Sequence, residues 1–325
     1  MDLEARLRAF AAFARYRSFS AAARELRISQ PAVSKHVADV EREVAARLVD
    51  RQPRGGTLTP AGEFLANHVL RAQALLAQAA RGVAAFREPG AGSLTIAASG
   101  VPGTYLLPEV VAAFHRAHPG VRVDLTLATS ARAVEALRSH RAELGVVLGL
   151  MAAPEMEAEA LVEDEIVVVG SPAWRDRRPS RREVEAATWI VREEGSAART
   201  AVEAAWADAG IAPRRLELPS WEAVKLAVAR GDGVAGCSRF SVADELRNGA
   251  LALIRLPWWN VRRTISIIRL RDAVLTPSAH TFLVMLRGRW APRARAGASG
   301  RSRAGRSRRG SRTLPAGRRR RDSPS

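Results

Sequence analysis

The chain has 325 residues, 51 Lys plus Arg against 33 Asp plus Glu, a net charge of +18, 47% hydrophobic residues and one cysteine, enough for two or three domains with buried cores. The lone Cys237 excludes an intramolecular disulfide framework and any zinc site needing several cysteines of one chain. The longest apolar run, 144–153, is shorter than the roughly 20 residues that span a bilayer, and acids interrupt the N-terminus where a signal peptide is apolar, so the expectation is a soluble cytoplasmic protein with no membrane partner.

Residues 3–50 read as three short helices. Leu3, Leu7, Phe10 and Ala14 share one face of the first. Ser18 and Ser20 offer caps for a second over 21–27, and Ser29 caps a third with Pro31 in its first turn. There Val33, Val37, Val40 and Val44 form an inward stripe, which leaves Pro31, Lys35, Ala38 and Arg42 opposite, with Ser34 beside them. Residues 51–57, RQPRGGT, have the glycines, proline and arginines of a hairpin loop.

Thr59 then caps a long helix from Pro60 to about Phe86. Leu65, Val69, Ala72, Leu76, Ala79, Val83 and Phe86 alternate spacings of four and three, a heptad seam suited to a partner helix in a coiled coil. An amphipathic helix packed on its own domain is the other reading of that stripe.

The run 88–93, EPGAGS, breaks the helix and marks a boundary. Beyond it strands and helices alternate. Strands are predicted at 94–98, 121–127, 143–148, 165–170, 189–191, 216–218, 234–237 and 265–270. Helices are predicted after Pro108, after Ser130, over 196–209 and 221–230, and from Pro277 to about Arg289. Two such series imply a parallel-rich α/β sheet in two lobes. The last 35 residues hold twelve arginines and one acid, a charge of +11, so residues 1–290 carry only +7. That composition predicts a disordered Arg-rich tail which attracts nucleic acid without reading sequence, or GC-rich sequence read past an ancestral end near Pro292.

No Walker A loop, GxSxG, GxGxxG, HExxH or CxxC is present. His115 and His118 stand three apart, as metal ligands can, but a solvated helix end explains them as well. The strong signal is the run at 18–43, SFSAAARELRISQPAVSKHVADVERE, followed by Arg51 and by LTPAG at 58–62. It resembles the LysR-type transcriptional regulators, over residues 3 to about 290. The resemblance implies an N-terminal all-α winged helix–turn–helix (1–58), a linker and dimerisation helix (59–88), and a periplasmic-binding-protein-like α/β effector domain (92–290). Its two lobes are expected at 92–163 with 269–290, and at 164–268, followed by the tail 291–325.

A helix start carrying Gln30, Ser34 and Lys35 suits the major groove, because Gln pairs bidentately with adenine and Lys with guanine. Ser29, Pro31, Arg51, Arg54 and Thr57 complete the expected DNA-binding set, the wing residues meeting phosphate or the minor groove. The run REEGSAART at 192–200 is similar to the REPGSGTR of one subset of the family. It places Gly195 and Ser196 at a helix N-terminus that favours an anion, with Arg199 one turn on. Ser99, Gly100, Thr129 and Ser130 offer further polar groups on the facing lobe, although each hydroxyl alone is explained by N-capping. Glu194, Ala197 and Ala198 depart from the run, so ligand identity does not carry over.

Expected partners are operator DNA, a second copy through Leu65, Val69, Leu76, Val83 and Phe86, tetramer mates, RNA polymerase, and a small anionic effector, with no cofactor or metal. The alternative is a binding module or enzyme in which Ser99, Ser196 and Arg199 act on a substrate and the N-terminal helices only dimerise.

Overall fold

In the computed structural model, residues 3–52, 55–87, 91–149 and 153–290 are described, the side chains of 3, 51 and 84–87 excepted. Arg54, the side chains of Arg51 and Phe86, and the tail 291–325 thus lie outside the described residues. Among the described residues no helix is long and apolar enough to cross a membrane.

The chain opens with α1 (Leu3–Tyr16), α2 (Phe19–Leu26) and α3 (Gln30–Glu43), then a hairpin of β1 (Val49–Gln52) and β2 (Gly55–Leu58). Ser18 Oγ accepts the Ala21 amide at 3.3 Å, and Ser29 Oγ accepts that of Ala32 at 3.3 Å, so each hydroxyl satisfies an orphan donor where its helix begins. Phe10, Phe13, Phe19, Val33, Val37 and Leu48 form one core, with the rings of Phe13 and Phe19 4.4 Å apart. Val44, predicted to continue the inward stripe, instead caps α3 and is 43% exposed. The helix ends at Glu43, and Leu48 and Val49 enter the core in its place. Glu41 ties them there by accepting both their amides, at 2.8 and 3.1 Å.

Next comes α4 (Pro60–Arg87), 28 residues long and about 42 Å at 1.5 Å per residue. Thr59 Oγ1 accepts the Gly62 amide at 3.0 Å and donates to the Arg47 carbonyl at 2.7 Å. A side chain at Gly62 would place its Cβ 2.0 Å from the Leu48 carbonyl oxygen, so the glycine lets the helix start against the backbone that leads into the wing.

The remaining elements are β3 (Gly92–Ser99), a π-helical turn (Pro102–Leu106) running into α5 (Leu107–Ala117), β4 (Val121–Ala128), α6 (Ser130–Arg138), β5 (Leu144–Leu148), β6 (Met156–Gly170) and α7 (Arg181–Ala186). Then follow β7 (Trp189–Arg192), α8 (Ala197–Ala209), β8 (Arg215–Leu218), α9 (Trp221–Arg230), β9 (Ala235–Ser238), α10 (Ala243–Asn248), β10 (Ala252–Ile254), β11 (Val261–Leu270) and α11 (Pro277–Trp290). A seven-stranded sheet runs β10-β6-β11-β5-β3-β4, with β9 also on β6; β7 and β8 pair separately. Pairs β3–β4, β3–β5 and β7–β8 are parallel, but every pair made by β6 or β11 is antiparallel. The sheet is therefore mixed rather than parallel-rich.

The antiparallel part arises because β6 and β11 run side by side through both lobes. Their ladder spans Val261↔Ile166 to Leu270↔Met156, with a register shift between Ile265 and Ser266. Ile265 and Ile267 sit in the first-lobe core with Phe114 and Phe282, so the chain returns to that lobe earlier than the expected residue 269. The second lobe builds two cores, one around Trp189, Val202 and Trp206, the other around Val167, Val224 and Cys237.

Candidate functional sites

Because Val33 and Val37 turn inward, Gln30, Pro31 and Lys35 stand exposed on the first turns of α3, with Ser34 half-buried beside them. Ser29 is also exposed, but its hydroxyl caps the helix. Arg42 is held by the buried Asp39 three residues back, so part of this surface is neutralised from within. Thr57 is exposed on β2, facing Asp50 across the wing hairpin, and Arg51 faces Gly56 in the same ladder.

The predicted seam on α4 divides. Val69 is only 7% exposed and Leu65 packs at the edge of the N-terminal core, so these two are covered within the chain. Leu76 and Val83, at 69% and 58%, are open. An apolar groove of about 590 Å³ lies between α1, α2 and α4, lined by Leu7, Ala12, Leu26, Val69, Ala72 and Leu76 among others. The packed-helix reading thus describes Leu65 and Val69, while the stripe at Leu76 and Val83 stays largely exposed.

In the first lobe the structure brings Ser99 and Ser130 together on one backbone unit. Ser99 Oγ, buried at the end of β3, accepts the Leu148 amide at 3.1 Å, while Ser130 Oγ donates to the Leu148 carbonyl at 3.4 Å. Accepting that amide leaves the Ser99 proton to donate. Thr129, not Ser130, caps α6, accepting the Arg132 amide at 3.3 Å. Gly100 is exposed, with open space on its Cβ side.

In the second lobe Gly195 has φ +83, which a side chain would strain, and open space beside it. Ser196 is the N-cap of α8 yet makes no side-chain cap bond, leaving first-turn amides of α8 open to an anion. Arg199, expected to pair with the ligand, is engaged within its own lobe. Its Nε donates to Glu203 at 2.8 Å and its Nη1 to Glu217 at 2.6 Å, and the hydrogen bond to Glu203 leads in holding its guanidinium above the ordinary arginine value. The acids one turn on and across on β8 neutralise the cation meant for a ligand.

The lobes meet at a group that the sequence did not single out. Tyr105, from the π-helical turn, packs against the cores of both lobes. The Lys225 ammonium lies 5.5 Å from its ring centroid and is bound to Glu222 at 2.7 Å and Glu245 at 2.8 Å. Burial opposes the lysine charge, but those carboxylates outweigh it and raise its pKa. Burial likewise pushes the Tyr105 hydroxyl up, and the Cys237 thiol to about 12. Nearby, buried Asp164 accepts from Ser238 Oγ at 2.6 Å and Arg263 Nε at 2.8 Å. A visible clue was Lys225 itself, one of two lysines in the chain.

An exposed helix start beside a wing, joined by a long helix to a two-lobed domain with an uncapped helix N-terminus, has the layout of a helix–turn–helix regulator carrying a ligand-binding module. The bacterial regulatory helix–turn–helix protein of the lysR family matches residues 5–63, and the LysR substrate binding domain matches 87–291. The chain belongs to this family and is a LysR-type DNA-binding transcription regulator with a substrate-binding domain. It is 30% identical over 281 residues to the regulator CbbR of Rhodospirillum rubrum, covering 86% of this chain and 93% of that one. To CysL of Bacillus subtilis it is 27% identical over 288 residues, 87% of this chain and 96% of that one. The crystal structure of full-length CbnR with its target DNA has the same fold, with a TM-score of 0.65 at 23% identity over 89% of this chain and 99% of that one.

Proposed function

We propose that the chain grips a promoter operator as a dimer of dimers and changes that grip when a small anionic metabolite enters between its lobes. The observation that carries the reading is the first two turns of α3, where Gln30, Pro31 and Lys35 are exposed over a buried valine stripe. Gln30, Ser34 and Lys35 read bases, while Ser29, Pro31, Arg51, Arg54 and Thr57 set position on the backbone. Leu76 and Val83 pair two copies, with the effector domains making the tetramer and RNA polymerase meeting the assembly on DNA. Two-fold symmetry predicts half-sites about 34 Å apart, or a multiple of that.

The effector sits among Ser99, Gly100, Thr129, Ser130, Gly195 and Ser196. It acts by binding two arrangements of the lobes with different affinity. The CbnR structure with DNA supports the first half of this reading. The uncapped α8 N-terminus supports the anion. An enzymatic use of the cleft is disfavoured, since Arg199 is tied to Glu203 and Glu217.

Footprinting on DNA flanking the gene tests this. Two protected half-sites on one face of the duplex are expected. Absence of any specific footprint, together with turnover of a co-purified metabolite, would sink the regulator reading and favour the enzyme.

A further inference from the structure

The far edge of the second lobe carries a feature that neither DNA reading nor effector binding uses. Strand β10 ends the seven-stranded sheet, and β6 is its only sheet neighbour among the described residues. In an antiparallel pair alternate residues turn both N–H and C=O away from the partner, so the outer side of β10 presents unpaired backbone groups. Two depressions of about 1070 and 550 Å³ adjoin β10 and share Asp176, Arg239, Leu253 and Arg255, and so form one groove, which also reaches Glu165, Val167 and Val168 of β6.

The groove is cationic with an apolar floor. Arg175, Arg177, Arg178, Arg239, Arg247 and Arg255 line it, against Glu165 and Asp176. Arg177, Arg239 and Arg247 are paired to Glu183, Glu165 and Asp244, but these are exposed pairs, weak in water and open to exchange. Exposed Arg178 and Arg255 have no ion-pair partner among the described residues. Leu253, Leu256, Pro257 and Trp259 supply the floor.

We propose that this groove docks an acidic, extended peptide segment of a partner protein, which adds a strand to β10 while its carboxylates meet the arginines. Main-chain bonds would give affinity, and the alternating side chains specificity. Charge excludes other occupants: a second copy of the groove, or the chain's own Arg-rich tail, would be repelled. Duplex DNA satisfies the cations but has no use for an apolar floor or an open strand edge.

The test is fluorescence anisotropy of the full-length protein with a labelled (Glu-Val)4 peptide, against (Lys-Val)4 and against (Glu-Val)4 N-methylated at alternate amides. Saturable binding of the acidic peptide is expected. It should weaken at least tenfold in Arg178→Glu/Arg255→Glu, less in Arg178→Gln/Arg255→Gln, and on N-methylation, with unchanged thermal melting of both variants. Equal binding of (Lys-Val)4, or no loss in the charge-reversed variant, overturns the proposal. So does an equal loss of operator affinity in that variant, which would assign the groove to DNA.

Discussion

Truncating Leu76 to Ala should weaken the dimer by roughly 200-fold. The change removes three carbon groups, about 2.4 kcal/mol at roughly 0.8 kcal/mol each when fully buried. Leu76 is 69% exposed in the single chain, so about 1.7 kcal/mol of this remains for a partner to bury. Two copies meet in a symmetric dimer, giving about 3.3 kcal/mol, or more than two powers of ten in Kd. Sedimentation equilibrium reads that number directly. Val69→Ala is the control, because Val69 is 7% exposed and already packed inside its own chain. It should lower the melting temperature of the N-terminal domain while moving the dimer Kd much less. Equal effects of the two substitutions on Kd, or a Leu76→Ala chain that dimerises as tightly as the parent, would refute the division of the seam.

Lys35→Ala should relax discrimination at one base pair by about 1–3 kcal/mol in a competition series of operator variants, and a uniform loss across all variants would make it a phosphate contact instead. Ser196→Ala should flatten the response of operator binding to effector and leave affinity without effector unchanged; Arg199→Ala should instead lower the melting temperature, since it removes the cation shared by Glu203 and Glu217. Gly62→Ala should destabilise the N-terminal domain by about 1–3 kcal/mol, because its Cβ would overlap the Leu48 carbonyl; thermal unfolding within error of the parent would contradict this. Lys225 has its pKa raised on folding, so its pairing stabilises the chain fully below the ordinary lysine value of 10.5 and is lost only as pH rises through the higher folded value. Lys225→Met should therefore remove part of the alkaline fall in stability, and an unchanged pH profile above 10.5 would deny the lysine that role.

What was legible in the sequence was local. The caps at Ser18, Ser29 and Thr59 act within three residues of themselves, so the starts of α2, α3 and α4 could be read, α2 two residues late. The heptad period could be read too, but a period says that a stripe is covered, not by what. Val69 packs into its own domain, whereas Leu76 is left 69% exposed. The first half of β6 was missed because the glutamates and alanines of Met156–Glu163 are poor strand formers. Glu157 and Glu159 are instead paired to Arg269 and Arg287, on β11 and α11. Short elements such as α7, α10 and β10 have too few residues to show a period. The acids around Arg199 could not be read locally, because Glu217 reaches it from β8.

The charge of the chain separates attraction from recognition. Residues 1–60 hold eleven Lys plus Arg and seven acids, a net +4. Several of those cations are already paired: Arg6 to Glu43, Arg17 to Glu63 and Arg42 to Asp39. The surplus of arginine over acid therefore lies mostly elsewhere, in the tail and in such places as the β10 groove. Attraction to phosphate grows with the count of cations, but telling one base from another needs a donor held at one place over a base edge. In this domain Val33 and Val37 bury one side of α3 and so fix which way Gln30, Ser34 and Lys35 face. A chain of 49 arginines keeps its only two lysines at that face and between Glu222 and Glu245. A compact ammonium has one charge centre and three rotatable donors, and fits between two carboxylates beneath a tyrosine ring where a planar guanidinium would need more room.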